Sequence, residues 1–430
     1  MRGTRRLRHA ALAGLVMLGP WAQAGAQRDR RPPVADTRAS DLVPRPSPTG
    51  SALTVYLMTM GAGDLVWERF GHNAIWINDA ARGTDAVYNW GMFDFAQPGF
   101  LRRFLTGDTR YWMAAFDLHS TVDVYAGSNR TVLVQELDLT PAQRAELQRF
   151  AEWNEREENR YYRYDYYRDN CSTRVRDAID RVLGGRIRAA TAATPTATSY
   201  RSHTRRLTSG DFPVYTGIQL ALGHPADRPI SAWEEMFLPV KMSESLRGVR
   251  VPGEGGALRP LVKSERVLFQ ARRPPEPAGP PRYTGRYLAL GGAIAALLAL
   301  LAARGARGGR AARAGFVAAA ALWALLAGVL GSAALGAWTL TQHVFMYRNE
   351  NLLQFNPLPL LLLALVPLAV VGGRARRPAR AVALGVAALS ALGFALQALP
   401  GLDQPNGEII ALALPAHAAL AWGLGRLLAA

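Results

Sequence analysis

Asp169-Asn170-Cys171-Ser172-Thr173-Arg174-Val175-Arg176-Asp177-Ala178-Ile179-Asp180-Arg181-Val182-Leu183-Gly184-Gly185 is the stretch on which the fold and the chemistry turn. Val175, Ala178, Ile179, Val182 and Leu183 recur at helical spacing, so the stretch predicts a helix that begins after Asn170, buries one face and stops at the glycine pair. Cys171, the single cysteine of the chain, falls at the start of that helix. There the open N–H groups and the helix dipole stabilise an anion and can lower a thiol pKa. From these residues alone, an inert buried thiol or one paired with another chain stays an equal alternative.

Upstream lie short β-like runs, Leu53 to Met58, Asn73 to Asn78, Ala86 to Trp90 and Thr131 to Leu137, the last alternating Val132, Val134 and Glu136 against Leu133, Gln135 and Leu137. Thr140 as N-cap, Pro141 at the first helical position and Gln143 completing a capping box start a second helix, reaching about Asn154. Residues 52–270 therefore read as an α+β domain. A nucleophilic cysteine needs a base, and His72 is the best placed of seven histidines: Phe70-Gly71-His72-Asn73-Ala74-Ile75-Trp76-Ile77 sets it at the mouth of a strand. A surface or core histidine is the plainer reading of that octapeptide by itself.

The ends of the chain belong to a membrane protein. Residues 1–26 have a basic start, an apolar run and Ala24-Gly25-Ala26, the pattern of a cleaved signal peptide. Two linkers, 27–51 and the proline-rich 271–286, frame the α+β domain. From 287 to 430 the sequence reads as an all-α transmembrane bundle of about five helices, near 287–303, 314–340, 358–373, 381–400 and 409–425. The net charge of +17 sits mostly on arginines beside these segments: Arg2, Arg5, Arg6 and Arg8, then Arg304 to Arg313, Arg374 to Arg380, and Arg426. With the α+β domain outside the cytoplasm, each basic loop lands inside. The charge sets topology in an inner, cytoplasmic membrane, and no nucleic acid is expected. With one cysteine and no clustered histidines at zinc-like spacing, no metal or other cofactor is expected either.

Three motifs in order carry a resemblance: Phe70 to Ile77, then Val87-Tyr88-Asn89-Trp90-Gly91-Met92-Phe93-Asp94-Phe95, then Tyr164-Asp165-Tyr166-Tyr167-Arg168 running into Asp169 to Arg174. They resemble the periplasmic domain of Lnb-type lipoprotein N-acyltransferases, a permuted papain-like arrangement similar to NlpC/P60 enzymes, in which the histidine precedes the cysteine. Gln342-His343-Val344, Asn349 to Leu353 and Asn356-Pro357-Leu358 resemble a periplasmic-side loop of that family's membrane part. The resemblance implies Cys171 as nucleophile, His72 as general base and an orienting polar group on the next strand, for which Asn89 is the choice over Asn73 or Asp85. Asn170 is a helix N-cap or an oxyanion donor. Arg174 is a phosphate partner or an ion-pair partner of Asp177. His343 lines an acceptor entrance or an ordinary loop.

The implied reaction moves a phospholipid acyl chain through a Cys171 thioester to the N-terminal amine of a diacylglyceryl lipoprotein, with the membrane as platform. Two other classes fit the residues: a cysteine hydrolase acting on cell-wall peptides or phospholipids, and an envelope scaffold with no reaction at all.

Overall fold

The computed structural model describes residues 50–253 and 256–430. The expected signal peptide, and all of the first linker but its last two residues, lie outside the described residues. The described chain divides into two units. One holds residues 50–208 with Pro229–Ala278, and the other holds Ser209–Arg228 with Gly279–Ala430.

The first unit is built on a seven-stranded antiparallel sheet. In chain order it contains β1 (Leu53–Met60), β2 (His72–Asp79), β3 (Thr84–Met92), α1 (Phe100–Thr106), β4 (Arg110–Asp117), α2 (Leu118–Gly127), β5 (Val132–Leu137), α3 (Pro141–Glu155), β6 (Tyr161–Arg163), α4 (Cys171–Val182), α5 (Arg186–Thr191), β7 (Pro195–Ser199) and α6 (Tyr200–Thr208). After α7 (Phe212–Ala221), which belongs to the second unit, it resumes with β8 (Pro229–Ser231), α8 (Ala232–Glu235), α9 (Pro239–Gly248), β9 (Arg250–Pro252), β10 (Leu258–Pro260) and β11 (Val262–Phe269). The sheet order is β11-β5-β1-β2-β3-β4-β6. Val55 pairs with Ile77, and Ala74 with Asn89, so residues two apart share a face. On one face Leu53, Val55, Leu57, Ile75, Ile77, Tyr88 and Trp90 pack with Ala151 of α3 and with Val175, Ala178, Ile179 and Val182 of α4. On the other, Met58, Met60, Ala74, Trp76, Val87, Val132 and Val134 are covered by Leu118, Val122 and Tyr125 of α2.

Local signals explain the helix starts. Thr140 Oγ1 accepts from Gln143 N, and Gln143 Oε1 accepts from Thr140 N at 2.9 Å, the reciprocal cap spelled by the sequence. The five apolar positions of α4 and its C-cap are all buried, as the spacing requires. Burying that face is worth about 2 kcal/mol per large side chain, which makes α4 a fixed platform for its first residue.

The second unit carries α10 (Thr284–Ala306), α11 (Arg310–Leu340), α12 (Leu362–Val370), α13 (Arg376–Leu396) and α14 (Gly407–Ala429). Five helical segments are long and apolar enough to cross a membrane, the third running over Glu350–Val370. The first begins at Thr284, inside the stretch expected to be linker, and the fifth spans Gly407–Ala429, so both are longer than their apolar runs. The third is shorter as an α-helix than its run suggests. Pro357 and Pro359 lack the N–H an α-helix needs, and two 3₁₀ turns, Glu350–Leu353 and Leu358–Leu361, precede α12. Helix α7 docks within this unit: Asn349 Nδ2 donates to Leu220 O at 2.7 Å and Asn351 Nδ2 to Gln219 O at 2.8 Å.

Candidate active site

Cys171 is the first residue of α4, and its placement is over-determined. The Asn170 amide oxygen accepts from Ser172 N and Thr173 N, each at 2.9 Å, while its nitrogen donates to Tyr166 O at 3.1 Å and Phe237 O at 3.0 Å. Buried Asn73, next to His72, then ties the helix to the strands. Its nitrogen donates to Met58 O at 3.0 Å and Thr59 Oγ1 at 2.9 Å, and its oxygen accepts from Ser172 Oγ at 2.7 Å. The Asn73 backbone N–H also points to the Cys171 sulfur. The residue after the histidine thus touches both the residue after the cysteine and the thiol itself.

The imidazole of His72 has its own brace. Nε2 lies 3.1 Å from Asn89 Oδ1, and the Asn89 amide is oriented by Nδ2 donating to Val87 O at 2.9 Å. An amide oxygen can only accept, so Nε2 carries the proton, and in the neutral ring Nδ1 keeps its lone pair. Tyr125 lies roughly parallel to the ring, at 6.1 Å between centroids. Among the described residues His72 and Cys171 share no direct hydrogen bond. Their link runs through Asn73, and such pairs often close only when substrate is bound.

Charge around the pair comes from Arg130. This buried guanidinium donates from Nε to Gly61 O at 2.9 Å, lies 3.5 Å from Glu68 Oε1 and sits over the Tyr125 ring at 4.7 Å. Burial, aided by Arg130, lowers His72 to about 4, against the Asn89 hydrogen bond that raises it. Burial pushes the Cys171 thiol up, opposed by the N–H groups of Asn73, Ser172 and Cys171 and by Arg130. Near neutral pH the two groups rest as thiol and neutral imidazole. Such a pair can transfer a proton as the sulfur attacks, without a standing thiolate.

Gly91 lies against the thiol-bearing residue. Its φ is +89°, and a Cβ there would lie 3.3 Å from Cys171 Cβ and 3.6 Å from the Tyr164 ring. Gly71, at φ +79°, lets the chain turn into His72, since a Cβ there would meet Met60 O at 2.8 Å.

Residues 47–206, which include every group named in this site except Phe237, match the family model of the Lnb N-terminal periplasmic domain. The chain carries an Lnb-type domain. The match spans 160 of the 430 residues and makes this part of the chain similar to the periplasmic domain of Lnb-type proteins. No curated protein and no solved structure matches the chain. The Lnb-type domain and the five apolar helices together make this a multi-pass membrane protein.

Within the Lnb-type domain, of the three polar groups weighed as His72's partner only Asn89 meets the ring. Asn73 is occupied by the helix anchor, and Asp85 accepts from Trp76 Nε1 at 2.7 Å and Asn78 Nδ2 at 3.0 Å. Of the two readings of Asn170, the helix cap is the one the structure shows: both side-chain N–H groups serve main-chain carbonyls, and none is left for an oxyanion. Arg174 is a correction. It pairs not with Asp177 but with Asp169, Nη2 to Oδ2 at 2.7 Å, while Asp177 is taken by Arg176. His343 belongs to the helical unit, where it precedes the 3₁₀ turn Val344–Met346. Other histidines are committed elsewhere: His203 to Glu235 at 2.8 Å, His119 to Asp123 at 3.3 Å. Arg130, Tyr125 and Gly91 are the site residues that sequence reading passed over. Gly91 alone carried a signal, as a glycine closing a strand pattern.

Proposed function

We propose that this protein is a membrane-anchored acyltransferase whose Lnb-type domain faces the periplasm from the inner membrane. It carries a phospholipid acyl chain on Cys171 and delivers it to the N-terminal amine of a diacylglyceryl lipoprotein. The sulfur attacks the ester carbonyl while His72 Nδ1 takes the thiol proton. The tetrahedral intermediate collapses, the C–O bond breaks, and the lysophospholipid alkoxide leaves with the proton from His72. The lipoprotein amine then attacks the thioester; its proton passes to His72 and on to the departing Cys171 sulfur, leaving an amide. A thioester is reactive enough for the amine step, which is the reason to store the acyl group on sulfur. The Cys171 backbone N–H, at the open end of α4, is the natural oxyanion donor, with Arg130 adding positive charge nearby.

The observation that carries this reading is the Asn89 brace on His72, because it leaves Nδ1 as a free base beside a strand residue that touches the thiol. The similarity to the Lnb periplasmic domain supports a lipoprotein substrate, and the placement of basic loops supports the orientation. The test is mass spectrometry of lipoprotein N-termini from cells carrying Cys171→Ala. Loss of the N-acyl chain is the expected result, and unchanged termini would overturn the reading. Fatty-acid release from phospholipid at the same rate with and without an amine acceptor would make the protein a hydrolase instead.

A further inference from the structure

Helix α1 does not behave like a core helix. Its sequence, Phe100-Leu101-Arg102-Arg103-Phe104-Leu105-Thr106, is mostly apolar, yet none of its residues is buried. Leu101 and Leu105, one turn apart, are 50% and 54% exposed. Phe100 and Phe104 are stacked at 6.0 Å on the same helix, and Phe100 joins a ring cluster with Phe93 and Phe95. Arg102 and Arg103 follow Leu101 directly, and neither side chain has a carboxylate partner among the described residues. The cluster also leads inward: Phe93 stacks on Tyr111 at 5.1 Å, Tyr111 on Tyr164 at 4.3 Å, and Tyr164 lies against Gly91 beside Cys171.

We propose that α1 is the lipid-facing element of the Lnb-type domain, with Leu101 and Leu105 entering the bilayer interface and Arg102 and Arg103 meeting the phosphates of the lipid headgroups. Exposed leucines beside unpaired arginines on an aromatic-backed helix are the composition of an interfacial segment. The occupant we assign is a bilayer, because the same chain carries five segments long and apolar enough to cross a membrane and because arginines complement anionic headgroups. A soluble partner would have to compete with that surface. The stacked rings from Phe93 to Tyr164 then offer one acyl chain an apolar route from the interface to Cys171; only this route rests on the proposed reaction.

The test uses the full chain in phosphatidylglycerol–phosphatidylcholine vesicles. Cys171→Ser removes the native thiol, and Leu105→Cys places a polarity-sensitive dye on α1, with Leu258→Cys, itself 58% exposed on β10, as reference. The dye at 105 should shift to the blue and be quenched by nitroxide-bearing lipids, while the dye at 258 stays water-like. A water-like dye at 105, or a blue shift without lipid quenching, overturns the proposal, the latter by showing that protein covers the helix. Leu101→Glu with Leu105→Glu, in the native-thiol protein, should lower the initial rate on vesicle phospholipid about tenfold and leave a water-soluble short-chain thioester substrate unaffected. An equal loss on both substrates would assign α1 to the fold. If the dye penetrates while the wild type transfers nothing, the lipid-facing helix stands and the acyltransferase reading falls.

Discussion

Asn89 Oδ1 sits 3.1 Å from His72 Nε2, and that contact decides which nitrogen of the ring is the base. The amide cannot flip without giving up Val87 O, so the ring is held in the tautomer with Nδ1 unprotonated. The cysteine side is as firmly fixed, through Asn170 at the helix cap and Asn73 between helix and strand. Three asparagines therefore position the pair, each by a different pattern of donors and acceptors.

Asn89→Ala frees the imidazole to rotate and to change tautomer. Thioester formation should slow by about 10- to 100-fold with the thermal midpoint little changed, because the side chain orients the base and does not support the core. Asn89→Asp should keep the ring in place and raise the His72 pKa from about 4, since a carboxylate favours the charged ring. Single-turnover rates across pH separate the two. Equal rates for Asn89→Ala and wild type would remove Asn89 from the mechanism.

The pH dependence follows from two shifts of opposite sign. His72 is lowered from 6.5 to about 4, so the base stays available well into acid and the acidic limb of turnover should fall near pH 4. The unfolded chain binds a proton at this residue below pH 6.5 while the native chain does not, so the associated stability is present above that value and is lost as pH falls towards 4. Cys171 is raised above its ordinary value, so alkylation in the resting enzyme should climb only at alkaline pH. Arg130→Gln removes a positive charge that lowers both groups, and should move both the acidic limb and the alkylation midpoint upward. A midpoint for alkylation below pH 7 in the wild type would contradict the neutral resting pair.

Gly91→Ala should be destabilising by about 1–3 kcal/mol, because an alanine rarely adopts a positive φ and the added methyl presses on Cys171. Denaturant melts measure the cost. Cys171 accessibility to a small alkylating reagent, compared at full folding, reports the displacement of the thiol, and an unchanged alkylation rate would show that the close approach is not needed.

The site was legible where chemistry is local in the chain. The α4 periodicity, the Thr140–Gln143 capping box and the strand opening at His72 all depend on neighbours within a turn or two, and each reads directly from residue order. Contacts closed by the tertiary fold did not. Arg130 follows a turn and looks like any surface arginine until β5 carries it beneath the site. Arg174 takes Asp169, one residue before the cap, because the bridge between Asp165 and Asp169 brings that carboxylate round. The sheet is finished by β11, far along the chain, where Arg266 pairs opposite Val134, and no spacing rule reaches that distance.

Helix α7 offers a test of how the helical unit holds its outlying segment. Tyr215 Oη donates to Glu408 Oε2 at 2.6 Å, and Glu408 Oε1 accepts from Tyr283 N at 3.2 Å. Tyr215 and Glu408 are both buried, so the carboxylate joins α7, the start of α10 and the start of α14 in one set of hydrogen bonds. Glu408→Leu removes both acceptors at once. Leaving a buried hydroxyl deprived of such a partner costs about 1–3 kcal/mol, enough to raise the open population of α7 several-fold or more. Protease cleavage within Ser209–Arg228 should therefore accelerate in detergent-solubilised Glu408→Leu. Glu408→Gln keeps one oxygen and the shape of the side chain, so its cleavage rate should lie between the two. Identical cleavage in all three proteins would mean that the asparagine contacts from Asn349 and Asn351 hold α7 by themselves.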